Sequence, residues 1–74
     1  MKRIIQFKIH KGENSYIGEC VDLPIVTQGK TLDEVVANIK EAFNLHLEGE
    51  DFFDLDLASD PSVLVNFELE MSYA

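Results

Sequence analysis

The chain has 74 residues, a net charge of −8 and one cysteine, Cys20. That length holds one domain, 1–74, which buries only about 60% of its unfolded surface, and a lone cysteine excludes an internal disulfide. The acidic balance argues against direct contact with a nucleic-acid backbone. No apolar run approaches the roughly 20 residues of a membrane span, so a soluble, cytoplasmic protein without membrane or nucleic-acid partners is expected.

The N-terminal MKRIIQFKIHK carries basic residues, but polar side chains interrupt its apolar positions, unlike the core of a secretion signal. Residues 3–9 alternate instead, with Ile5, Phe7 and Ile9 on one face and Ile4, Gln6 and Lys8 on the other, which predicts a half-buried strand. Lys11-Gly12-Glu13-Asn14 is turn chemistry. A second strand over 15–21 should close an antiparallel hairpin. Asp22-Leu23-Pro24 then interrupts pairing, and Ile25 to Gln28 reads as a short third strand ending at Gly29.

Gly29-Lys30-Thr31 has the look of a phosphate-cradling loop, but that motif needs a glycine at position 24, and Pro24 offers no N–H. Thr31 and Glu34 fit a capping box instead. A helix is predicted over 31–48, closed by Gly49, with Leu32, Val35, Val36, Ile39, Ala42, Phe43 and His46 on one stripe. Asp33, Glu34, Ala37, Lys40, Glu41, Asn44 and Glu48 take the other side. His46, on the apolar stripe and without a named acid–base partner, reads as a structural histidine.

Residues 49–61 read as a connecting loop. Val63, Val65, Phe67, Leu69, Met71 and Tyr73 then alternate with Leu64 and polar residues, predicting a long final strand. The order gives an α+β domain, β-β-β-α-β: a small, mainly antiparallel sheet with one helix packed on one face. Its other face would be bare, and Ile4, Ile17 and Leu64 make that face partly apolar, so a homo-oligomer, most simply a two-fold dimer, is expected. His10, Cys20 and His46 fall in separate segments without ligand spacing. Neither catalytic nor metal-binding residues emerge, no cofactor is implied, and an enzyme is not expected.

Tyr16-Ile17-Gly18-Glu19-Cys20, Asp22-Leu23-Pro24, Thr27-Gln28-Gly29, Thr31-Leu32-Asp33-Glu34-Val35 and Ala37-Asn38-Ile39-Lys40-Glu41-Ala42 together resemble the core of the HicB-like antitoxin family. The resemblance is close over residues 1–48 and extends to the last strand by pattern alone. Tyr16, Cys20, Asp22, Leu23, Pro24, Gly29, Thr31 and Glu34 are the motif positions. Val21 and Ile25 stand where the family usually has proline and glycine, and Lys30 where it has aspartate. The resemblance implies a truncated ribonuclease H-like fold that neutralises a small basic RNA-cleaving toxin of the HicA type by protein–protein contact. Family members also carry a DNA-binding domain that represses their operon. No such segment follows the last strand here, so only the toxin-binding half of the function is expected.

The charge distribution agrees with a basic partner. Four of the six bases fall in the first eleven residues, and no Lys or Arg follows Lys40. A candidate partner surface is Leu45, Glu48, Glu50, Asp51, Phe52, Phe53, Asp54 and Asp56: aromatic anchors among steering acids. Two readings of these residues stay open, the second tucking both Phe side chains under the helix end with the acids merely solvated. The competing function is a stand-alone homo-oligomeric domain without a toxin, a remnant or a small-ligand binder.

Overall fold

β1 (Lys2–Lys11) forms where the alternation is strongest, and it carries the centre of the core: Ile5, Phe7 and Ile9 are fully buried. The computed structural model describes residues 2–48 and 57–69, with side chains for 3–48 and 61–69. β2 (Tyr16–Cys20), β3 (Val26–Gly29), α1 (Leu32–Leu47) and β4 (Leu57–Phe67) complete the β-β-β-α-β order expected from the sequence. The sheet runs β3-β2-β1-β4. The β1–β2 and β2–β3 pairs are antiparallel, and β4 lies parallel to β1. The chain thus crosses from one sheet edge to the other through α1, as a parallel connection requires.

Register assigns the faces. Phe7 stands opposite Cys20 and Val65, and Ile9 opposite Gly18 and Phe67, so these residues share the helix side. Ile4, Ile17 and Leu64 share the other side, as expected. Ile4 and Leu64 are exposed there, and Val26, on the same face, is exposed by 67%.

Two glycines set how α1 lies. A Cβ on Gly29 would stand 2.5 Å from the Val35 backbone nitrogen, and one on Gly18 would stand 2.8 Å from Ile39 Cδ1. The helix therefore rests on β3 and β2 at positions without side chains. Further along, Phe43 meets Phe7 edge-on, ring centroids 6.3 Å apart and planes at 87°. From Val35 to Phe43 a helix rises about 12 Å, enough to cross two inter-strand spacings of about 4.8 Å. The helix runs obliquely from β3 towards β1. Val35, Ile39 and Phe43 are its buried residues, joined in the core by Ile25 from the loop before β3.

β4 lies at the sheet edge away from β3, where the helix starts. Val63 and Val65 are half-buried against the core flank.

Three expectations need correction. β4 begins at Leu57, inside the predicted loop 49–61, because Leu57 pairs with Lys2 across a register break that precedes Ile4 and Ser62. Pro61 is tolerated within this edge strand because an outward position needs no N–H for the ladder. The strand ends at Phe67, so Leu69 lies beyond it: Ile9–Phe67 is its last pair, just before β1 itself ends at Lys11. Leu32 is 41% exposed instead of buried, since it opens the helix beside the short edge strand. Gly49, Met71 and Tyr73 lie outside the described residues.

The two glycines should respond differently to alanine. At Gly29 the obstruction is helix backbone, which cannot step aside, whereas at Gly18 it is the tip of Ile39. Urea unfolding should show Gly29→Ala losing about 3 kcal/mol or more and Gly18→Ala about 1–2 kcal/mol. Equal losses would mean that the helix shifts freely over β3.

Candidate functional site

The motif-like residues converge on the joints that hold the helix to the hairpin. Between β2 and β3 the chain reverses over residues 21–24. The Cys20 N–H donates to the Ile25 carbonyl at 2.9 Å, and the Leu23 N–H donates to Cys20 Sγ at 3.3 Å. The Cys20 sulfur is thus an acceptor inside the turn. Leu23 is half-buried against the core, while Asp22 and Pro24 are exposed. Tyr16, at the far end of β2, stacks at a tilt on Phe67 across β1, centroids 5.9 Å apart.

At the helix start the Glu34 N–H donates to Thr31 Oγ1 at 3.0 Å, with Thr31 in extended backbone, as an N-cap requires. Asp33 and Glu34 lie in the first turn, at the positive end of the helix dipole. Asn38 Nδ2 donates to the Gln28 carbonyl at 2.7 Å, tying α1 to the outer edge of β3. Tyr16, Cys20, Leu23, Gly29 and Thr31 all have a packing or hydrogen-bonding role in the fold.

The predicted partner surface is described in part. Leu45 is 57% exposed and Glu48, the C-cap residue, is exposed. Glu50, Asp51, Phe52, Phe53, Asp54 and Asp56 lie outside the described residues. Sequence reasoning left Glu41 out of this surface. Its spacing of four residues before Leu45 and seven before Glu48 puts all three on one helix stripe. Beside that stripe runs a groove of about 240 Å³ lined by Thr27, Asn38, Glu41, Ala42 and Leu45.

β1 is an inner strand, and its Lys8 stands opposite Glu19. His10 Nδ1 lies 3.6 Å from Glu19 Oε1, a contact across the β1–β2 pair. Only the register reveals this pairing. His46 is half-buried on the last helical turn. Among the described residues no group of three His, Cys, Asp or Glu is placed to hold a metal ion, and no helix is long and apolar enough to cross a membrane.

No protein-family model, curated protein or solved structure matches the chain.

Removal of the cap tests its role in folding. Thr31→Ala is expected to cost about 1 kcal/mol of stability, read as a lower urea midpoint with an unchanged slope. A neutral substitution would show that the Thr31 hydroxyl contributes nothing beyond what water supplies.

Proposed function

We propose that this chain is a HicB-like, antitoxin-type binding protein of truncated ribonuclease H-like fold, which neutralises a small basic RNA-cleaving protein by covering it. The observation that carries the reading is the helix stripe Glu41–Leu45–Glu48. It presents an exposed leucine between carboxylates, next to a groove on a chain of net charge −8. A buried apolar anchor supplies most of the free energy of such a contact, and the acids around it draw in a basic surface. Neutralisation of this kind needs no bond-making step, no cofactor and no metal. The motif-like residues 16–42 support the family reading through the joints they build.

A second reading has its own observation. Ile4, Leu64 and Val26 are exposed on the helix-free side of the sheet, which favours a homo-oligomeric domain whose partner is a further copy of itself. The two readings are compatible, and self-association is part of the proposal.

The test is association with small basic RNA-cleaving proteins encoded beside the gene, followed by RNA cleavage with and without the chain. Glu41→Gln combined with Glu48→Gln should slow association by about tenfold at low salt and flatten its salt dependence. Leu45→Ala should instead speed dissociation, by about tenfold, for a loss of more than 1 kcal/mol. Binding that ignores both changes would remove the helix stripe as the docking surface, and the absence of any complex at low salt would remove the antitoxin reading.

A further inference from the structure

The sheet has two edges, and they differ. β3 is four residues long, and the Cys20–Ile25 hydrogen bond fixes which of its groups face inward. By alternation Val26 and Gln28 point their backbone groups outward. The Gln28 carbonyl is already taken by Asn38 Nδ2 at 2.7 Å. A side chain thus occupies this edge where an added strand would bond, a common way of blunting an edge.

β4 is the opposite case. The Glu68 N–H donates to the Ile9 carbonyl at 2.9 Å, so even-numbered residues of β4 turn their backbone towards β1. Val63, Val65 and Phe67 therefore turn their N–H and C=O groups to the open edge, each offering one donor and one acceptor. Among the described residues no strand pairs with that edge. Pro61 marks its start, because it has no N–H to offer a neighbour.

We propose that two copies of this chain pair through the open edges of β4, antiparallel, about a two-fold axis at Val65. The inference rests on the homo-oligomer reading above and not on the basic partner. Three features select a second copy as the occupant. Residues 61–67, PSVLVNF, contain no ionisable side chain, whereas the chain carries a net charge of −8. Two like-charged copies can meet there without opposing carboxylates, while a basic partner gains nothing from a neutral strand. The pairing is also self-complementary. Val65 faces its own copy and Val63 faces the Phe67 of the second copy, each pair exchanging both backbone hydrogen bonds.

The third feature is the apolar strip that α1 leaves at the flank. Val63 and Val65 are half-buried and Phe67 is 39% exposed on the helix side. Antiparallel pairing sets these residues beside their counterparts and closes the strip across the axis. On the other face Leu64, 47% exposed, comes opposite the Asn66 of the second copy. The product is one continuous sheet with both β3 edges at its ends, each blunted by Asn38.

The full chain alone, without any other protein, tests this by sedimentation combined with amide hydrogen exchange. A dimer is expected at micromolar concentration, with the Val63, Val65 and Phe67 amides exchanging at least about tenfold more slowly than in dilute monomer. Leu64→Glu, at an exposed position, should weaken dimerisation by about tenfold or more with an unchanged circular dichroism spectrum. Should that variant fail to fold, the exchange data on the unaltered chain decide. A dimer whose β4 amides exchange freely overturns the edge pairing and leaves the oligomer reading standing. A chain that stays monomeric overturns both, even if the three amides are protected, since a segment of the same chain would then cover the edge. Neither result bears on the basic partner, which is measured separately.

Discussion

The arrangement depends on one close approach. Where α1 starts, its backbone lies so near Gly29 that even a methyl group there would collide with the Val35 nitrogen, and Ile39 comes to rest over Gly18. Absent side chains at these two points let the helix sink onto β3 and β2. Dispersion and apolar burial then fill the remaining space with Val35, Ile39 and Phe43 against Ile5, Phe7 and Ile9. The cap by Thr31 and the bond from Asn38 to Gln28 hold the first turns at this depth. Everything the helix touches follows from where it enters.

So does everything it leaves alone. A single helix that starts on β3 and reaches β1 at Phe43 leaves Val63 and Val65, on the helix side of β4, half-buried. The same placement leaves Glu41, Leu45 and Glu48 exposed on one stripe. A small domain has little stability in reserve. The protein thus concentrates its packing on one side of β1 and leaves two kinds of surface: a charged helix stripe and a neutral strand edge. The two proposed partners, one basic and one identical, divide along that difference in chemistry.

Much of this was legible in the chain itself. Alternation at Ile5, Phe7 and Ile9 and the three- and four-residue spacing of Val35, Ile39 and Phe43 name the core, because burial on a strand or helix imposes those periods. Thr31 and Glu34 mark the helix start, because orphan N–H groups need an acceptor. Leu32 fits the same period and is nonetheless exposed. Periodicity gives the direction of a side chain but not whether anything lies beneath it. Leu57 was hidden for a related reason: residues 57–60 lack a strand pattern, and β4 starts there only because Leu57 pairs with Lys2.

The sequence by itself determined the element order, the buried faces and the helix N-cap, since each rests on interactions among residues a few positions apart. Only the tertiary structure decided that β4 joins β1 in parallel, that His10 meets Glu19, and that Asn38 closes the edge of β3. These are contacts between segments distant in the chain. Their register is set by packing the whole sheet against one helix, and no local pattern records it.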